Sequence, residues 1–364
     1  MRFHWYWPFA RREELDWAVG TARDGDSIVV DVIDRAEAPF AGQYGPITVA
    51  RNLPDVRRDT GNRLTWAASR ATTYATRAAS RGAQWRTDDF DLVHLHYLNR
   101  FTDAILPLPH PLVMSVHDVV PHVPRLGARP EHLLLSRMYT RADALVVHHA
   151  ALSERLMQKF GVPEERIHVV PHQVFPVGQV PDHPPDDPPT VLFFGAFRPN
   201  KGLSTLADAM QRLETDDIRL VIAGRGEASL ERLVTDLAQR DSRVHVEVGF
   251  ATLERKRELF SEASLVVMPY TSFSSQSGVL HDAYGHCRPV VVTDVGALGE
   301  TVREDATGLV VSPQDPGALA DAIRTALQPS IWEAHAAAER RIRTERSPTA
   351  VGRRLREVYD QLLC

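Results

Sequence analysis

The sequence predicts an α/β protein of two Rossmann-like domains with parallel sheets, and three observations carry that expectation. Short apolar runs alternate with amphipathic helical segments almost from end to end, the rhythm of a parallel sheet covered on both faces by helices. The rhythm breaks once, at the proline-rich stretch VFPVGQVPDHPPDDPP over 174–189, and restarts at Thr190. A length of 364 residues suits two domains at about 150 residues each.

In the first domain, 1–173, the runs Phe3–Trp7, Ser27–Ile33, Pro46–Ala50, Leu92–His96, Leu112–Val116, Ala144–Val147 and Ile167–Val170 are long enough and apolar enough for buried strands. Helices are expected between them, among others over Pro130–Arg141 and Leu152–Phe160. The stretch 174–189 holds too many prolines for helix or strand and is read as a linker. The second domain, 190–345, offers Val191–Gly195, Leu265–Pro269 and Pro289–Thr293 as strands. From Pro329 the chain is helical, with Val351, Leu355, Val358 and Leu362 on one face.

Composition narrows the function classes. The hydrophobic fraction of 43% supplies two cores, and a net charge of −5 argues against a general nucleic-acid binder. The two cysteines, Cys287 and Cys364, form no CxxC pair, a reducing, cytoplasmic pattern without a zinc knuckle. The first residues carry Arg11, Arg12, Glu13, Glu14 and Asp16 where a signal peptide needs an apolar core, and no run is long enough to span a bilayer. A soluble, cytoplasmic protein is the expectation.

Two strand-to-helix junctions carry the chemistry. In the first, Val191–Gly195 is followed by Arg198, Lys201 and Gly202, and then by a helix with Leu203, Leu206, Met210 and Leu213 on one face. Ligands of doubly wound sheets bind outside the carboxyl ends of the strands, and an ammonium beside a guanidinium there suits a diphosphate. The alternative is a pair of solvated loop cations. In the second junction, Ser274, Ser275, Gln276, Ser277 and Gly278 separate a strand from a helix, so free backbone N–H groups point at an anion. Asp282, one turn on, is placed for the hydroxyls of a ribose; a plain connecting loop is the other reading. In the first domain, Leu112–Val116 delivers His117 and Asp118 at a strand's carboxyl end. Other histidines, His94, His96, His148, His149 and His172, lie in or beside strand ends without helical metal-ligand spacing and are read as cleft-lining or core residues. Asp89 and Asp91 form a DxD that precedes its strand, at the wrong edge of the sheet for a metal site.

Taken together, Gly195-Ala-Phe-Arg-Pro-Asn-Lys201-Gly202, Leu220-Val-Ile-Ala-Gly224-Arg-Gly226, Gln276-Ser-Gly278 with Asp282-Ala-Tyr284, and Pro289-Val-Val-Val-Thr-Asp294 with Gly296 and Glu300 resemble the family-4 retaining glycosyltransferases. The resemblance covers about 150 residues continuously, with its motifs in matching order and context. It implies the GT-B architecture, two facing Rossmann-like domains with a cleft between them and a C-terminal helix, about 346–364, that rejoins the first domain. It implies a hexose-type sugar moved from a UDP- or GDP-linked donor to an acceptor hydroxyl, with retention and without metal or cofactor. Its site would hold Arg198 and Lys201 on the diphosphate, Gly195, Gly224, Ser275, Gln276, Ser277 and Gly278 around the donor, Asp282 on the ribose and His117 near the transferred sugar. Three features depart from the pattern. Ala196 stands where many members carry Arg, Ser274 and the one-methylene-shorter Asp282 stand where many carry a pair of glutamates, and Arg2–Ala10 lacks the usual glycine-rich loop. The alternatives kept open are a non-catalytic nucleotide-sugar binder and a GT-B phosphorylase or epimerase.

The acceptor is left as a small molecule, glycan or lipid-linked hydroxyl. The region 51–86 sets Arg51, Arg57, Arg58, Arg63, Arg70, Arg77, Arg81 and Arg86 against Asp55 and Asp59. A solvated helix face is one reading; a weak peripheral contact with an anionic acceptor or the inner membrane face is the other.

Overall fold

A computed structural model describes residues 1–8, 10, 12–33, 41–54, 63–99, 101–120, 127–178, 188–273 and 277–364. The chain divides into two compact units, Met1–His172 with Pro348–Cys364, and Gln173–Ser347.

In the first unit, β1 (Arg2–Tyr6), β2 (Ser27–Ile33), β3 (Gly42–Tyr44), β4 (Ile47–Leu53), β5 (Leu92–Leu95), β6 (Leu112–Ser115), β7 (Ala144–Val147) and β8 (Ile167–Val169) form one sheet in the order β3-β4-β2-β1-β5-β6-β7-β8. All pairings are parallel except β3 with β4. The helices are α1 (Leu15–Thr21), α2 (Arg63–Thr87), α3 (Ala128–Tyr139) and α4 (Ala150–Phe160). One core lies on each face of the sheet. Trp5, Trp7, Trp17, Ile28 and Val30 pack on one side, and Leu95, Leu112, Met114, Tyr139 and Leu152 on the other. The sheet buries both faces, so its strands read as unbroken apolar runs and were legible in the sequence.

In the second unit, β9 (Thr190–Phe197), β10 (Arg219–Gly226), β11 (Val244–Val248), β12 (Leu265–Met268), β13 (Val290–Thr293) and β14 (Gly308–Val311) form a parallel sheet in the order β11-β10-β9-β12-β13-β14. Helices α5 (Leu203–Arg212), α6 (Ala228–Arg240), α7 (Leu253–Glu262), α8 (Gly278–His286), α9 (Ala297–Asp305), α10 (Pro316–Ala326) and α11 (Pro329–Glu345) accompany it. Val191, Phe193 and Leu206 lie in one core, Leu192, Val266 and Leu280 in the other. Helix α12 (Pro348–Leu363) returns to the first unit, where Val351, Leu355 and Tyr359 join the tryptophan-rich core; the apolar spacing of the tail requires a buried face, and the fold decides where it is buried. No described helix is long and apolar enough to cross a membrane.

The expected linker over 174–189 is described only in part. Residues 173–178 are tied to the second unit, with the Val174 amide donating to the Arg346 carbonyl at 2.7 Å and the Val177 amide to Gly285 at 3.0 Å. Strands β10 and β14 were not named as strands from the sequence, and β3 and β11 went wholly unforeseen. Strand β3 has three residues and β11 is only partly buried. Short, half-exposed edge strands lack the apolar run that marks a central one.

Candidate functional site

In the second unit the strand order reverses between β9 and β12, where successive crossovers leave in opposite directions. A crevice opens at the carboxyl ends of strands at such a point. Both junctions singled out in the sequence lie there.

Strand β9 ends at Phe197, and Arg198 leads into a short 3-10 turn, Pro199–Lys201, closed by Gly202 at φ 69°. The turn is bonded to the segment after β12. The Thr271 amide donates to the Asn200 carbonyl at 3.0 Å, and Asn200 Nδ2 donates to the Ser272 carbonyl at 3.0 Å. Lys201 Nζ lies 3.5 Å from the centre of the Tyr270 ring and 4.7 Å from that of Phe273. A ring face attracts a cation, so the two aromatics hold the ammonium without neutralising it. Burial, and then repulsion from Arg198, push the Lys201 pKa down to about 8. Arg198 itself is exposed. A partly dehydrated cation crowded by another cation is poised for an incoming anion.

Gly195 and Gly224 are register partners on β9 and β10. A side chain at Gly224, φ 154°, would begin 1.8 Å from the Gly195 carbonyl oxygen, so the strand ends approach this closely only because no Cβ intervenes.

Helix α8 begins at Gly278, which is exposed. Ser277 occupies the cap position in an extended conformation, but its hydroxyl caps nothing; it lies 3.3 Å from the Tyr270 hydroxyl. Among the described residues no side chain caps the first amides of α8, and the positive end of the helix lies at the junction. Tyr270 is buried, which raises its pKa to about 12. Ser274, Ser275 and Gln276 lie outside the described residues. The Asp282 carboxylate is 2.6 Å from Lys256 Nζ of α7, so a ribose hydroxyl there would have to share it with that lysine.

In the first unit, His117 follows β6 and lines a cavity of about 220 Å3 with Tyr97, Ser115, Asp118 and Tyr139. Its Nε2 is 2.9 Å from the His96 carbonyl oxygen. A carbonyl only accepts, so Nε2 carries the proton and Nδ1 the lone pair. Burial lowers the His117 pKa, and the ring stays neutral at neutral pH. Behind it the other histidines form a chain of rings. His94 stacks on His96 at 3.8 Å, His117 lies 5.0 Å from His148, and His148 lies 5.2 Å from His172. His94 is bonded to the Tyr359 hydroxyl at 2.6 Å and to Ser115 at 2.9 Å. His94, His96, His148 and His149 are buried and His172 is half-buried. Among the described residues no group of three or more His, Cys, Asp or Glu is placed to hold a metal ion.

The second unit thus gathers Lys201, Arg198, Gly195, Gly224, Ser277 and Gly278 at the carboxyl ends of its strands; His117 belongs to the first unit, at the carboxyl end of β6. Sequence reading missed the aromatic cradle of Tyr270 and Phe273, the bridging Asn200 and the Lys256 partner of Asp282. Tyr270 had a signal, the Pro-Tyr pair after a buried strand. Lys256 had none, because nothing local marks a partner 26 residues away.

Comparison with known proteins places both units. Residues 188–329 match the family described as Glycosyl transferases group 1, and residues 21–174 match Glycosyltransferase Family 4. The chain is 26% identical over 318 residues to an uncharacterized glycosyltransferase of Methanocaldococcus jannaschii, covering 75% of this chain and 77% of that one. It is 28% identical over 279 residues to a D-inositol 3-phosphate glycosyltransferase of Xylanimonas cellulosilytica, covering 67% of this chain and 64% of that one. Among solved structures, sucrose-phosphate synthase from Thermosynechococcus elongatus superposes with a TM-score of 0.75 at 18% identity, over 100% of this chain and 99% of that one. HepE of Anabaena in complex with UDP superposes with a TM-score of 0.69 at 16% identity, over 99% of each chain. With both units matched in sequence and in fold, the chain belongs to the group 1 and family 4 glycosyltransferases, enzymes of the GT-B fold class.

Proposed function

We propose that this glycosyltransferase moves a hexose-type sugar from a UDP- or GDP-linked donor to an acceptor hydroxyl, retaining the anomeric configuration and using no metal. The carrying observation is Lys201, a half-dehydrated ammonium held by Tyr270 and Phe273 at the switch point of the second sheet, beside Arg198 and the open end of α8. A donor bound in HepE of Anabaena, which was solved with UDP-glucose, supports a nucleotide sugar here.

In this reading the sugar C1–O bond breaks with its electron pair leaving on the diphosphate. Lys201, Arg198 and the amides at Ser277–Gly278 stabilise the charge that develops there. The acceptor oxygen forms the new bond to C1 on the face the diphosphate leaves, and its proton passes to a phosphate oxygen. His117, neutral and with Nδ1 as acceptor, orients a sugar hydroxyl; Asp282 shares the ribose with Lys256. The acceptor is a small molecule, glycan or lipid-linked hydroxyl, and the basic region around α2 makes a peripheral membrane contact.

Calorimetric titration with nucleoside diphosphates tests the reading. Lys201→Ala is expected to weaken binding more than tenfold, as loss of a charge-assisted contact worth roughly 1.5–3 kcal/mol implies. Affinity of the native protein should also fall as pH rises through about 8, because only the protonated lysine attracts the diphosphate. Unchanged affinity in the variant removes Lys201 from the donor site. Chelation by EDTA is expected to leave the transfer rate unaltered; a loss restored by Mn²⁺ or Mg²⁺ sinks the metal-free mechanism. Retention is read from the anomeric proton couplings of the product.

A further inference from the structure

Four neighbouring strands of the first unit, β5, β6, β7 and β8, are each followed within three residues by an aromatic ring: Tyr97, His117, His148 and His172. Along this row the ring centres lie 5.0 Å apart from Tyr97 to His117, 5.0 Å from His117 to His148 and 5.2 Å from His148 to His172. Parallel strands stand roughly 4.8 Å apart, so one ring per strand end falls at stacking distance. Strand β6 lies between β5 and β7, and His117 therefore meets a ring from the strand on either side. Its plane is 28° from that of Tyr97 and 36° from that of His148.

The two flanking rings differ in how they are held. His148 is buried, and its Nδ1 donates to the Val170 carbonyl at 2.9 Å. Tyr97 is 38% exposed and lines the same cavity as His117. The imidazole has a use for both faces. The bond from Nε2 to the His96 carbonyl, at 2.9 Å, fixes one corner of the ring. Nδ1 lies on the other side of the Cβ–Cγ axis, so its lone pair swings as the ring tilts. A half-turn would put carbon where Nδ1 stood and break the His96 bond. Near-parallel rings resist that motion, because turning the imidazole drives its edge into their faces. Burial keeps His117 neutral, so the contact with Tyr97 is one of uncharged rings, and phenylalanine could make it equally well.

We propose that Tyr97 is a positioning residue for transfer: its ring, stacked on His117, holds the imidazole plane and so aims the Nδ1 lone pair, and Tyr97 acts through His117 without touching the sugar. This rests on the role given to His117 above and names the side chain that sets it.

The test pairs NMR spectra of the imidazole nitrogens with turnover, both on the full chain. His117→Ala identifies the His117 signals by their loss. In the native protein Nε2 should carry the proton and Nδ1 none. In Tyr97→Leu the two nitrogen shifts should move toward each other, because a turning ring loses the bond that fixes its tautomer. Tyr97→Phe should give the native spectrum. Turnover is followed as nucleoside diphosphate released from UDP-glucose and from GDP-mannose with water as acceptor. The water oxygen bonds C1 as the C1–O bond to the diphosphate breaks, and a water proton passes to the diphosphate. Tyr97→Leu should keep the thermal midpoint and lower kcat roughly tenfold, with the donor KM within about twofold of native. Tyr97→Phe should keep the native rate, and Tyr97→Leu should lose nothing further in a His117→Ala background.

A native His117 spectrum in Tyr97→Leu overturns the inference; a fall in turnover beside that spectrum makes Tyr97 a substrate contact instead. A loss shared by Tyr97→Phe, or one that persists in His117→Ala, overturns it as well. A native rate in His117→Ala, or cleavage of neither donor, sinks the underlying reading of the site, and the spectra then decide by themselves whether Tyr97 holds the ring.

Discussion

Replacing Gly202 by alanine is expected to destabilise the second unit by about 3 kcal/mol or more and to abolish nucleotide-diphosphate binding with it. Two costs combine at this position. The backbone sits at φ 69°, where a side chain crowds its own carbonyl, at about 1–2 kcal/mol. The added Cβ would also begin 1.7 Å from the Pro269 carbonyl oxygen, a backbone atom that moves only if the turn and the segment after β12 separate. Those segments are joined by the Asn200 bonds to Thr271 and Ser272, and they carry Lys201 and its cradle of Tyr270 and Phe273. For a unit of this size, 3 kcal/mol lowers the thermal midpoint by roughly 6–12 °C. Gly161 provides the control. It has the same left-handed backbone, φ 62°, but nothing lies within 4 Å of an added Cβ. Gly161→Ala should therefore cost only the conformational part. Equal losses in the two variants, measured by urea unfolding, would show that the turn yields freely and that its packing does not position the site.

The second large effect is acid lability of the first unit. Burial holds the pKa of His94, His96 and His148 well below the ordinary 6.5, with His117 lowered as well. Each binds a proton more readily in the unfolded chain, so stability is fully present above pH 6.5 and falls as pH drops below it. The loss is about 1.4 kcal/mol per pH unit for each histidine until its folded pKa is reached. Three such groups give about 4 kcal/mol per unit. In the second unit His286 is pushed down to about 4, while Glu339 and Asp305 are raised by burial. A carboxyl whose folded pKa is raised adds stability as pH falls, so these groups oppose His286.

Trp5, Trp7, Trp17, Trp66 and Trp85 belong to the first unit and Trp332 to the second, so intrinsic fluorescence follows the first during urea unfolding. His96→Phe makes the test specific. The His96 ring packs 4.5–4.9 Å from Trp5, Trp7 and Trp17, and neither nitrogen is hydrogen-bonded among the described residues. Phenylalanine should keep that packing and flatten the acid slope by about 1.4 kcal/mol per unit. A variant with the native slope would mean that His96 takes up no proton on unfolding.

Much of the fold was legible because buried parallel strands write themselves as apolar runs. Ser27–Ile33 and Ala144–Val147 appear in the structure with the bounds their composition implies, and Val191–Gly195 appears one residue longer at one end and two at the other. The strand-to-helix junctions were equally visible, since glycine, proline and a cation after an apolar run are local signals. The sequence by itself therefore determined the two sheets, the apolar face of the C-terminal helix and the position of Lys201 at a strand end, and the family resemblance supplied the return of that helix to the first unit. Only the tertiary structure decided what those residues meet. Asp282 lies one turn into α8, as its spacing requires, yet Lys256 of α7 claims its carboxylate. Lys201 is a loop cation in sequence and a ring-bound, half-dehydrated one in the fold. The arginines of α2 read as a solvated face, but Arg81 is buried on Asp103. The physical reason is the same in each case. Strand and helix propensities act over a few residues and survive in any context, whereas a charge takes its partner, hydration and pKa from groups brought near by packing.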